Sequence, residues 1–258
     1  MDESQMLSLI SSSMVFDLGQ PLSVNSPHHP NYPPFTLVLQ YRHGDLVMPC
    51  GMTFASSLIV TTDHHGTHVD AIGHVSRAHE SAPQGPTGLT LHGIQTMPPV
   101  IARGVLLDIA RARSVESLKA EVLTGEDMEQ VCMEQGITIY PGDAVLIRTG
   151  RGQYWGEPER YYNSTEGDPG PGAEGGRWLR SKAIGLAGSD TTAFEAIGPH
   201  RDDFGEVHLE LLGAGVPIVE NLNLEPLAEA RIKEFLFIMA PLKIVGGTGS
   251  PVRPLAVA

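Results

Sequence analysis

The segment 64-HHGTHVDAIGH-74 restricts this chain more than any other, because it packs His64, His68, His74 and the carboxylate of Asp70 into eleven residues. Donors at that density are costly to bury unless each is hydrogen-bonded or holds a metal. His64 and His68 are four apart, as in a helical zinc motif. However, Gly66, Thr67 and Val69 lower helix propensity, and the HExxH glutamate is missing. His68 and Asp70 are two apart, so an extended backbone sends both side chains to one face, and Gly66 lets the chain turn and bring His64 back. The three are thus candidate ligands of one ion. His74 follows Asp70 by four residues, where the onset of a helix would place it beside the metal as a proton carrier. His65, between the two ligand positions, is left out of the set.

The remainder of the chain narrows the partners. With 258 residues, 1–258 reads as a single domain. A net charge of −13 opposes a nucleic-acid backbone or an anionic membrane and leaves a small-molecule substrate as the expected partner. No apolar run reaches the roughly 18 residues that span a bilayer. Residues 1–14 lack a cationic start followed by an apolar block, so the expected location is the cytoplasm. Two cysteines, Cys50 and Cys132, are too few for a disulfide framework, and both are expected reduced and buried.

Along the chain, residues 1–14 read as a short helix, Val15 to Leu18 as a strand and Pro21 to Pro34 as a loop. Strands are expected at Phe35 to Tyr41, within Thr53 to Thr62, and at Gly104 to Ile109, Asp143 to Thr149, Ala183 to Ala187, Val216 to Val219 and Phe235 to Leu242. Thr124 with Asp127 forms a capping box opening a helix that Gly136 ends, and further helices are expected around His208 and Leu227 to Lys233. Arg77 to Pro99 reads as a long loop. The stretch 150–176, rich in Gly and Pro, reads as a loop insertion able to cover a pocket.

The segment 64–74 resembles the HxGTHxDxxxH signature of the cyclase family, which includes bacterial kynurenine formamidase and isatin hydrolase. His208 and Glu220, flanking Leu211-Leu212-Gly213 and preceding Asn221-Leu222, resemble the second ligand pair of that family. Asp17-Leu18-Gly19-Gln20-Pro21-Leu22 and Pro141-Gly142-Asp143 are weaker similarities. The resemblance implies that His64, His68 and Asp70 bind one ion, that Asp70 and Glu220 bridge to a second held also by His208, and that His74 is the general acid/base. It also implies a swivelling β/β/α fold, an α/β architecture with a central, partly barrel-like β core and flanking helices. The assembly it implies is a homodimer or homotetramer. Two features depart from relatives. The early-loop tryptophan of the formamidases has no counterpart, Trp155 and Trp178 being the only two, and Glu220 stands where isatin hydrolases carry an amide.

The expected function is hydrolysis of a C–N bond in an aryl formamide or small cyclic amide by metal-activated water, with Zn2+ or Mn2+ in a site for one or two ions. The same ligands would also suit a lactone hydrolase or a dehydrating cyclase. The non-enzymatic alternative is a binding protein with a structural metal.

Overall fold

Between residues 100 and 220 the chain alternates strand and helix: Val100–Asp108, helix Gly125–Gln135, Ala144–Arg148, helix Ala173–Ser181, Leu186–Ser189, helix Glu206–Gly213, Ile218–Glu220. Each crossover returns the chain parallel to the strand before, so these four strands lie side by side in sequence order. Antiparallel strands extend both edges. Glu234–Met239, Leu255–Val257 and Val15–Asp17 add to the Val100–Asp108 side, and His68–Asp70 then Gly249–Pro251 to the Ile218–Glu220 side. The nine strands curl into a half-barrel. The computed structural model describes residues 12–77, 82–162, 166–198 and 204–258; the helix expected at 1–14 lies outside them apart from its last three residues.

Period-two alternation sends the side chains of the parallel strands to two cores, as expected of a sheet covered on both faces. Val105, Leu107, Val145, Ile147, Ala187 and Ile218 meet Met128, Val131, Leu179, Val207 and Leu211 from the three helices. Leu106, Leu146, Leu186 and Val219 face the half-barrel interior with Leu18, Val69, Phe235, Phe237 and Leu227. The capping box at Thr124 is present, and Gly136 ends that helix in the left-handed conformation at φ 67°.

Three expectations are corrected. The stretch 150–176 is part of the body: it holds the 3-10 turn Arg151–Tyr154, helix Pro158–Tyr161, strand Gly170–Pro171 and the start of helix Ala173–Ser181. Tyr154, Trp155 and Tyr161 are buried together there, since Gly and Pro serve close turns around an aromatic cluster. No helix begins at His74, which ends a turn in which its N–H donates to the Ala71 carbonyl at 2.9 Å. Cys132 is buried but Cys50 is exposed, at the tip of the hairpin formed by Thr36–Tyr41 and Ser56–Val60.

Candidate metal centre

The donors gather at one edge of the parallel sheet, where Ile218–Glu220 passes to the antiparallel His68–Asp70. In register, Glu220 sits opposite His68 and Gly249 opposite Asp70. His68 and Asp70 leave the strand on the same face, as the two-residue spacing requires. Gly66 makes the preceding turn at φ 68°. Gly249 is needed for a different reason: a Cβ there would lie 2.7 Å from the His64 ring. His208 comes from helix Glu206–Gly213, packed behind Ile218–Glu220.

Each of the three candidate imidazoles is oriented by a partner on its far side. The Thr248 hydroxyl donates to Asp63 Oδ2 at 2.8 Å, so it accepts from His64 Nε2 at 2.8 Å, leaving His64 Nδ1 as the bare nitrogen. His68 Nδ1 donates to the Gly66 carbonyl at 2.8 Å, and His208 Nδ1 donates to Glu195. The Gly66 carbonyl also accepts from Asn221 Nδ2 at 3.0 Å, and the Tyr161 hydroxyl donates to Asn221 Oδ1 at 2.7 Å. Such far-side partners fix tautomer and ring direction at metal sites.

The three bare nitrogens face Asp70. Its carboxylate is 1% exposed and neither oxygen accepts a hydrogen bond. Around it stand His64 Nδ1 at 2.9 Å, His68 Nε2 at 3.6 Å and His208 Nε2 at 3.5 Å. Glu220 lies 3.3 Å from His68 Nε2 and 3.2 Å from His208 Nε2. Nitrogen and carboxylate lone pairs facing one another repel unless a proton or a cation lies between them. These separations are also those of neighbouring ligands around an ion with bonds of about 2.1 Å. The residues therefore fit a divalent metal.

The electrostatics ask for the same positive charge. Burial opposes a charged His68, but Glu220 and Asp70 outweigh it and hold the ring up to about 9. His208 is likewise raised against burial by Asp70, Glu195 and Glu220. Asp70 is held well below the carboxylate range; burial alone would raise it, and His74, His208 and His64 reverse the sign. His74 differs: burial dominates and pushes it down.

Among the described residues two donor sets lie within 4.8 Å: His64, Asp70 and His74, and Asp70, His208 and Glu220. Asp70 is common to both sets, which together hold His64, Asp70, His208 and Glu220 of the five ligands expected from sequence; His68 is in neither set and adjoins them through Asp70 at 3.6 Å and Glu220 at 3.3 Å. His74 stands closer in than a remote proton carrier, its ring 4.0 Å from that of His64. His65 is buried beside the rings of His28 and Phe35 and belongs to neither set. The donors open into a cavity of about 250 Å³ whose walls include His28, His29, Tyr32, Tyr162, Ile197 and Phe204. Sequence reading did not single out Glu195, Thr248, Asp63 or Tyr161.

The family model for cyclases matches residues 16–196, a span holding His64, His68, Asp70 and His74. The chain belongs to the cyclase family. The fold is similar to that of a structure described as a novel cyclase, at TM-score 0.84 and 25% identity over 100% of this chain and 92% of that one. It is similar to isatin hydrolase A from Ralstonia solanacearum at TM-score 0.80 and 25% identity, covering 100% and 98%. An isatin hydrolase bound to the product analogue thioisatinate gives TM-score 0.78 and 26% identity, covering 100% and 99%. No curated protein sequence matches significantly. Among the described residues, no helix is long and apolar enough to cross a membrane.

Proposed function

We propose that this cyclase-family chain is a metal-dependent hydrolase that cleaves a C–N bond in an aryl formamide or small cyclic amide. The observation that carries the reading is the Asp70 carboxylate, buried, without a hydrogen bond and shared by two donor sets whose other members, His64, His74, His208 and Glu220, line a cavity. When bound, a divalent ion such as Zn2+ or Mn2+ supplies Lewis acidity at a carbonyl and brings the pKa of a water near 7. Asp70 and Glu220 compensate the positive charge, while Thr248, Gly66 and Glu195 keep the three imidazoles turned inward. His74, lowered by burial, is neutral near pH 7 and so can take a proton and return it to the departing nitrogen. Tyr32, Tyr162 and Phe204 on the walls suit a flat aryl group. The similarity to isatin hydrolases supports a cyclic amide, and the carboxylate of Glu220 is where this chain departs from them.

The test is to strip the purified chain with a chelator, restore zinc or manganese, and assay aryl formamides, cyclic imides and lactones side by side. Metal-dependent turnover of a formamide or cyclic amide is expected. Turnover of lactones alone would move the assignment to the ester-type alternative. Stoichiometric metal without turnover or an exchangeable water would leave a structural site. Activity indifferent to chelators would remove the reading altogether.

A further inference from the structure

We propose that His29 and Tyr32 form a pair of hydrogen-bond donors on the cavity wall, which recognises a carbonyl oxygen of the substrate at the ring edge remote from the scissile bond. The inference rests on the hydrolase reading above and deepens it. It narrows the substrate class to aryl amides that carry an uncharged acceptor on the far side of the ring.

The tautomer of His29 is set by its own loop. The Asn31 N–H donates to His29 Nδ1 at 3.1 Å, so that nitrogen is bare and the ring proton lies on Nε2. His29 lines the cavity, and among the described residues Nε2 has no hydrogen-bond partner. The Tyr32 hydroxyl has none either. Burial and the charges of Asp70, Asp63 and Glu220 push the phenol up from its ordinary value, which keeps it protonated and a donor. The loop holds the two rings together. Tyr32 N–H donates to the His29 carbonyl at 2.9 Å around Pro30, and the ring centroids stand 5.2 Å apart. Trp155 Nε1 donates to the Pro21 carbonyl at 2.8 Å and so anchors the start of the same loop to the body.

Direction along the wall follows from the ring contacts. The Tyr32 ring lies 6.4 Å from that of His64 with the planes 28° apart, while His29 meets Tyr162 edge-on at 6.0 Å. The wall therefore runs outward from a candidate ligand, first Tyr32 and then His29. A substrate with its amide at the donor cluster lays its ring along Tyr32 and brings the far edge of that ring toward His29. An oxygen there replaces the water that both donors give up, whereas an alkyl group of equal size leaves them unpaired. Neither donor is a fixed cation. Among the described residues no Lys or Arg lines the cavity, and the chain carries a net charge of −13, so a carbonyl fits better than a carboxylate.

Titration calorimetry of the full-length chain, metal-loaded and metal-stripped, with product-like anilines tests the proposal. The probes are 4-aminoacetophenone, 4-ethylaniline of the same size without the oxygen, and 2-aminoacetophenone with its oxygen beside the nitrogen. The unaltered chain should prefer 4-aminoacetophenone over 4-ethylaniline. His29→Phe and Tyr32→Phe should each reduce that preference by about threefold to tenfold, the worth of one neutral hydrogen bond. Both probes are compared within each variant, so their different basicity cancels. Binding of 2-aminoacetophenone to the loaded chain should change by the same factor as that of 4-ethylaniline. If His29→Phe does not fold, Tyr32→Phe decides alone, since it keeps the ring against His64. A chain without the preference, or folded variants that retain it in full, overturns the proposal. So does a preference for 2-aminoacetophenone that the variants abolish. A chain that shows the expected preference but turns over no aryl amide keeps the donor pair and rejects the hydrolase reading.

Discussion

Asp70 and Asp190 have the same side chain and nearly the same burial, 1% and 0% exposed, but opposite surroundings. Asp190 accepts from Thr149 N, Thr149 Oγ1 and Gly150 N at 2.8 Å each and from Gly152 N at 3.3 Å. It ties the loop after Ala144–Arg148 to the end of Leu186–Ser189. Asp70 accepts no hydrogen bond and faces three imidazoles. Their titration follows. Burial pushes Asp190 up, only partly offset by its neutral donors, whereas the imidazoles take Asp70 well below the usual range. The protein satisfies the lone pairs of Asp190, which makes it structural, and leaves those of Asp70 open, which is what the proposed ligand role requires.

The sharpest way to break this contrast is to remove each carboxylate. Asp70→Ala should lose both metal and turnover, since it takes away the donor common to both sets. Full occupancy by elemental analysis in that variant would contradict the assignment. His74→Ala comes next. It should keep its metal and lose on the order of 10²–10⁴ in turnover, with the acidic limb of the pH profile flattened. Metal lost along with activity would make His74 a ligand, as its place in the His64–Asp70 set allows. Asp190→Asn should instead cost about 2–4 kcal/mol in urea unfolding, because an amide cannot accept from all four donors. Its metal content in the folded fraction should be unchanged.

The cluster also makes a statement about pH. His68 is raised from 6.5 to about 9 by Glu220 and Asp70 against the cost of burial. In the metal-stripped chain this group contributes stability that is full below pH 6.5 and is lost as pH rises through about 9. The metal-loaded chain replaces that proton with the ion and should not show the decline. Parallel melts of the two forms from pH 6 to about 9.5 measure the difference, and coincident curves would detach His68 from the metal.

What could be read in advance follows from how local each signal is. The 64–74 donors were legible because the ligand spacing lies on one short turn and strand, where period two settles direction. The parallel strands were legible because burial on both faces writes them as apolar runs such as Val105–Leu107 and Val145–Ile147. Glu195 and Thr248 carry no such mark. Thr248 reaches His64 across 184 residues, and nothing in its own neighbourhood distinguishes it from any turn threonine. The hairpin was legible as two strands, but the same β-branched composition serves a covered strand and an open one. His74 joins the donor set of His64 and Asp70 through a turn where a helix was expected.

The smallest expected effect tests whether orientation at a distance matters to the Asp70 side of the comparison. Tyr161 is fully buried, and its hydroxyl touches no candidate ligand; it donates to Asn221, which holds the Gly66 carbonyl that orients His68. Tyr161→Phe keeps the ring against Trp155 and removes one oxygen, so packing is nearly preserved. Asn221 is itself at φ 56°, a conformation its neighbours must enforce, and loss of the Tyr161 bond loosens that enforcement. Metal affinity, read by competition with a chromogenic chelator, should fall about tenfold, the lower end of what such supporting partners contribute. A purely structural tyrosine would lower the melting temperature of stripped and loaded chains equally and leave the competition curve where it was.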